Sequence, residues 1–151
     1  MQIWVDADAC PRAVKEVLFR CANRAQVMTT LVANQFLKTP PSAYIQSVQV
    51  PGGFDVADNE IVARLNKDDL VITADIPLAD EVIAKGGAAL NPRGTFYTKE
   101  NIKDHLQRRD MRDSLRDSGM VSGGPDAYGK KELQAFSNAL DRYVTQHKRA
   151  Q

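Results

Sequence analysis

Two apolar runs in this chain end on carboxylates, and these are the residues whose type and spacing could do chemistry. Ile3-Trp4-Val5 leads into Asp6 and Asp8, one residue apart, and Leu70-Val71-Ile72-Thr73-Ala74 leads into Asp75. An ionised carboxylate at the end of a buried strand is costly unless something positive or hydrogen-bonding offsets it. A divalent cation is one such offset. For Asp8 a second reading stands beside it, as N-cap of a helix with Pro11 at its first position; Asp6 lies too far from that helix start to cap it. Oxygen donors without clustered His or Cys select Mg²⁺ or Mn²⁺ over zinc, and His105 and His147 both fall late in the chain. A metal among carboxylates lowers the pKa of a bound water, orients it toward phosphorus and stabilises charge on the leaving oxygen. Phosphodiester hydrolysis is the chemistry that suits such a set.

For these side chains to meet, the elements that carry them must end at one edge. Residues 11 to 25 place Ala13, Val14, Val17, Leu18, Cys21 and Ala22 at the three-and-four spacing of an amphipathic helix. Residues 27 to 33 read as a strand ending at Asn34-Gln35, and residues 44 to 50 as a third strand closed by Pro51-Gly52-Gly53. A helix over 55 to 66 follows, with Asp55, Asp58 and Glu60 in its first turn, where the helix dipole favours acids in any protein. After the Leu70 strand, Pro77 starts a short helix to Lys85, and Ala88-Ala89-Leu90 is the last strand, ending at Asn91-Pro92-Arg93-Gly94. Strands alternating with helices predict an α/β fold, a parallel-sheet αβα sandwich.

In such a sheet, ligands bind outside the carboxyl ends of the strands where strand order reverses. The residues expected at that edge are Asp6 and Asp8, Asn34, Asp75, and Asn91 with Arg93, with Asp55 and Asp58 arriving on the helix before the fourth strand. Carboxylates brought together this way raise one another's pKa unless a cation sits among them. Asn34, Asn91 and Arg93 are the candidate substrate contacts. Cys10 and Cys21 are eleven residues apart, about 16 Å along a helix, too far to bridge. At a helix start Cys10 is a candidate reactive thiol, but Asp6 and Asp8 oppose a thiolate there, and a small buried thiol is the preferred reading.

Size and composition bound the rest. At 151 residues the chain is one structural domain, read as an α/β core over 1–97 and a C-terminal helical extension over 98–151 packed on it. A net charge of +1 excludes a polyelectrolyte attraction to nucleic acid, so any such contact is local. With no apolar run of membrane-spanning length and no leader, the expectation is a cytoplasmic protein without a membrane partner. Beyond residue 97 the pattern is helical. Residues 98 to 118 carry Arg108, Arg109, Arg112 and Arg116, but Asp104, Asp110, Asp113 and Asp117 interleave with them, which reads as a self-paired solvated face ahead of a nucleic-acid stripe. Residues 130 to 148 form an amphipathic helix on Leu133, Phe136, Leu140, Tyr143 and Val144.

Several of these stretches together resemble one family. Trp4-Val5-Asp6-Ala7-Asp8-Ala9-Cys10-Pro11, the segment from Gly53 to Val62, Asp69 to Ala79, Leu90-Asn91-Pro92-Arg93-Gly94 and Ser122-Gly123-Gly124-Pro125 look like the bacterial YaiI/YqxD family over nearly the whole chain. More distantly the chain resembles PIN-like nucleases, which gather acids at the carboxyl edge of a parallel sheet around Mg²⁺ or Mn²⁺. That resemblance implies a PIN-like core with Asp6, Asp58 and Asp75 as metal ligands, and RNA or another single-stranded nucleic acid as substrate. PIN nucleases usually carry a further acid on an intervening helix; here none occurs between Glu16 and Asp55, leaving Asp8 or Asp55 to replace it.

Two other functions compete. Asp6-Ala7-Asp8 also resembles the aspartate pair of haloacid-dehalogenase-like phosphatases, with Asp75 and Asp80 as later metal carboxylates and Asp6 as a nucleophile forming an aspartyl phosphate. Against it, Asn34 stands where that family has Ser or Thr, and Lys67 is too near Asp75, Lys38 too far, for its lysine. The third reading is a non-catalytic module that binds RNA or protein on the old nuclease fold.

Overall fold

The computed structural model describes residues 1–53, 56–105, 107 and 128–149. Five parallel strands form most of one sheet: β1 (Ile3–Asp6), β2 (Thr29–Ala33), β3 (Ile45–Gln49), β4 (Leu70–Ile72) and β5 (Ala88–Leu90). A sixth, β6 (Phe96–Tyr97), runs antiparallel to β5. The spatial order is β3-β2-β1-β4-β5-β6.

The two-residue pleat sorts each strand between two cores. Ile3, Val5, Leu31, Leu70, Ile72 and Leu90 face one layer with α1 (Arg12–Ala25), while Trp4, Val32, Val71 and Ala89 face another with α2 (Val56–Arg64) and α3 (Ile76–Ala84). The last helix, α4 (Lys130–Arg149), joins the α1 layer through Phe136, Ala139, Leu140 and Val144. This is an αβα sandwich of the α/β class. Strands covered on both sides are largely apolar, which is why Ile3-Trp4-Val5 of β1, Leu31-Val32-Ala33 of β2 and Leu70-Val71-Ile72 of β4 read as hydrophobic runs.

Several local readings change. Helix α1 starts at Arg12 with Pro11 itself as N-cap residue, so Asp8 does not cap it. Asp8 lies instead in a 3-10 turn over Ala7–Ala9 that extends from β1. The second strand begins at Thr29, after Gln26 closes α1 in the left-handed region at φ 56°. Ala88–Leu90 is not the last strand, because the turn at residues 91–95 returns the chain as β6. Two residues carry no alternation to read. Thr98 opens the following helical stretch: its N–H donates to Asn101 Oδ1 (2.8 Å) and Asn101 N–H donates to Thr98 Oγ1 (3.1 Å), a reciprocal cap.

Among the described residues no helix is long and apolar enough to cross a membrane. Asp55, the stripe of Arg108, Arg109, Arg112 and Arg116 with Asp110, Asp113 and Asp117, and the loop holding Ser122-Gly123-Gly124-Pro125 lie outside the described residues.

Candidate functional site

The chain adds β2 and β3 on one side of β1, then crosses back to add β4 and β5 on the other. The connections leaving β1 and β4 run to opposite faces, to α1 and to α3, and the region outside two such strand ends is where these sheets bind ligands. Asp6 is the final residue of β1, and Thr73 and Asp75 follow β4 directly. Thr73 is 2% exposed and links the two acids. Its Oγ1 accepts a hydrogen bond from Asp75 N–H (2.9 Å) and donates to Asp6 Oδ2 (3.0 Å). An amide can only donate, so the hydroxyl proton is committed to Asp6, and bonds chained this way polarise one another.

Asp75 is itself the N-cap of α3, its Oδ1 accepting from Leu78 N–H at 2.9 Å, with Pro77 in the first turn. Asp8 Oδ2 accepts the backbone N–H of Asn34 at 2.8 Å, tying the 3-10 turn to the end of β2. Burial pushes the Asp6 carboxyl above its ordinary range; the Thr73 hydroxyl opposes this, and the charges of Asp75 and Asp8 push it further up. The edge therefore holds negative charge under strain of its own making.

The fold contains a contrasting acid. Asp69, 2% exposed at the opposite end of β4, accepts from Gln2 N–H (2.9 Å), Trp4 Nε1–H (3.1 Å) and Asn66 N–H (2.9 Å). That is how this molecule buries a carboxylate for structure: N–H donors reach both of its oxygens. Asp6, half-buried, takes the Thr73 hydroxyl as its one side-chain donor among the described residues and has two like charges beside it.

A model of the family described as "Uncharacterized BCR, YaiI/YqxD family" matches residues 4–146. The chain belongs to the YaiI/YqxD family. It is similar to a UPF0178 protein of Janthinobacterium sp. (strain Marseille), 60% identical over 148 residues covering 98% of each chain. A UPF0178 protein of Shewanella woodyi is 64% identical over 147 residues, 97% of each. One from Yersinia enterocolitica is 60% identical over 151 residues, 100% of this chain and 99% of the relative. No solved structure matches the chain.

At the same edge, this YaiI/YqxD chain builds the turn after β5 around Asn91. Asn91 Oδ1 accepts Arg93 N–H (2.7 Å) and its Nδ2 donates to Tyr97 Oη (2.7 Å), so the amide expected to touch substrate also shapes the turn. Arg93 lies 5.9 Å over the Tyr128 ring and 3.8 Å from Glu132 Oε1. Tyr128 Oη donates to Pro92 O at 2.8 Å. The arginine is thus aimed by the start of α4. Asn34 meets the site through its backbone, while its side chain is exposed.

The remaining candidates separate. Asp58 stands in the first turn of α2, and Asp80 is exposed on α3. Cys10 packs against the α1 core layer, and burial raises its thiol to about 12, with Lys15 opposing and Asp6 adding to the rise, which favours the buried-thiol reading. Among the described residues no three His, Cys, Asp or Glu side chains form a group that could hold a metal ion, so Asp6, Asp8, Asp58 and Asp75 are not drawn into one such group. Mg²⁺ does not require one: it keeps several waters and is commonly held by one or two carboxylates plus substrate phosphate. The Asp6 and Asp75 pair has the donor chemistry for that mode. Sequence reasoning missed Thr73 as the link, although a hydroxyl two residues before a strand-end acid was its signal. It also missed Tyr128 and Glu132, which no spacing marks.

Proposed function

We propose that this edge is a Mg²⁺- or Mn²⁺-dependent phosphodiesterase site acting on single-stranded nucleic acid, RNA foremost. The observation that carries the reading is the contrast between Asp69, buried on three N–H donors, and Asp6, half-buried at the strand crossover beside two like charges and tied through Thr73 to Asp75. A half-buried carboxylate with two like charges beside it suits a cationic ligand. The cation would be held by Asp6 and Asp75 and, when bound, would supply an activated water and charge neutralisation. Thr73 holds the Asp6 carboxylate in one orientation. The α3 N-terminus holds Asp75, and Arg93, braced by Tyr128 and Glu132, offers a guanidinium to a phosphate oxygen.

The test is hydrolysis of single-stranded RNA by the purified chain with Mn²⁺, against Asp6→Asn and Asp75→Asn. Both variants should lose about a hundredfold or more in kcat, the scale at which single electrostatic groups act, with unchanged far-UV circular dichroism. Wild-type protein that cleaves neither RNA nor single-stranded DNA under Mn²⁺ defeats the reading. Activity confined to phosphomonoesters, with a beryllium fluoride adduct on Asp6, would instead mark a phosphatase.

A further inference from the structure

Among the described residues one large apolar side chain is strongly exposed: Phe36, at 76%. A single exposed hydrophobic residue is ordinarily unremarkable, but this one is presented by a segment fastened on both sides. Before it, Asn34 N–H is bound to Asp8 Oδ2. After it, Leu37 packs against the α1 core layer, and Ser42 donates its hydroxyl to Asn23 Oδ1. The chain is therefore held down around Phe36 while the ring faces water. Two residues of extended chain span at most about 7 Å, so the Phe36 Cα stands within that reach of the Cα of Asn34, the residue bonded to Asp8.

Its surroundings choose the occupant. Asn34, Gln35 and Lys38 around it are exposed and polar or charged. A docking patch for a protein would be contiguous and apolar. A lone aromatic face within a hydrogen-bonding frame beside a phosphate site is how single strands are held, by stacking a base while the backbone is bound by charge. Position fits as well. Phe36 follows β2 and Arg93 follows β5, with β1 and β4 between them; three strand spacings make that roughly 14 Å, and the acids lie in the middle.

We propose that Phe36 is a base-stacking platform, taking the face of a nucleobase in a single strand whose phosphate lies over Asp6, Thr73 and Asp75. The proposal rests on the phosphodiesterase reading and names how its substrate is gripped. It is tested by fluorescence anisotropy with the full chain and a 5′-labelled single-stranded RNA, with Ca²⁺ replacing Mg²⁺ to slow turnover. Phe36→Ala should weaken binding about tenfold or more, and Phe36→Trp should restore it. A fully abasic strand of equal length should bind all three proteins within about twofold, and melting temperatures should agree. The proposal is overturned if Phe36→Ala binds the base-bearing strand as wild type does, or loses both strands equally. It also falls if the substitution alters only self-association in sedimentation velocity. Mn²⁺-dependent cleavage, measured in parallel, separates the two readings. RNA bound through Phe36 and never cleaved ends the hydrolase reading alone, and cleavage with an unchanged KM in Phe36→Ala ends the stacking alone.

Discussion

At the scale of single residues, Asp6 is held in a form the fold does not favour. Its pKa is raised from the ordinary 3.8, with burial the largest cause, so the folded chain binds that proton more tightly than the unfolded chain does. Stability then falls as pH rises from 3.8 through the folded pKa, and the deficit is complete above it. Asp6→Asn keeps an acceptor for the Thr73 hydroxyl and removes the charge. It should raise Tm at pH 7, with the gain shrinking toward zero as pH approaches 3.8 and wild-type Asp6 protonates. Thermal melts across that range check it, and a variant less stable than wild type at pH 7 would refute it. Strand-end acids were legible in the sequence because apolar runs that stop on charge are conspicuous. Their coupling was not, since it runs through one hydroxyl whose direction only coordinates reveal.

At the scale of elements, the turn after β5 and helix α4 meet at Gly94. Its φ is +95°, and a Cβ there would lie 2.6 Å from the backbone carbon of Ala135. Gly94→Ala adds left-handed strain to a clash with helix backbone that cannot rotate away. It should cost about 3 kcal/mol in urea unfolding, and in the functional reading it should raise KM for RNA by shifting Arg93. A cost below about 0.5 kcal/mol, the ordinary surface range, would mean the helix is not seated as described. Helix and strand identities were legible from periodicity in β1 to β5, α1 and α4. The ends were less so: Pro11 took the cap that was one of two readings for Asp8, and Asp75, read only as a ligand, also caps α3. Two-residue β6 left no pattern to follow.

At the scale of the whole molecule, the α1 layer is closed by residues more than a hundred positions away. Phe136, Leu140 and Val144 cover the face of the sheet that carries Ile3, Val5, Leu70 and Ile72. Burying each is worth about 1.5–3 kcal/mol, together comparable with the total stability of about 5–15 kcal/mol typical of a domain. A chain ended after residue 129 should therefore lose its cooperative urea transition and bind a hydrophobic dye. A truncated protein with a sharp transition near that of wild type would show the strands and α1 to be self-sufficient. The alternating pattern made the sandwich legible. What it could not supply was which face the last helix covers, because an amphipathic stripe specifies an apolar partner without saying which one.

The indole of Trp4, 5% exposed and bonded to Asp69, adds a practical corollary. It is the chain's one tryptophan, and its bond lies at the amino end of the sheet, across the strands from the carboxylates of the carboxyl edge. Its emission should redden when the sheet comes apart. Titrations with metal or oligonucleotide can then be followed by denaturation monitored through an optical label that nature has already installed.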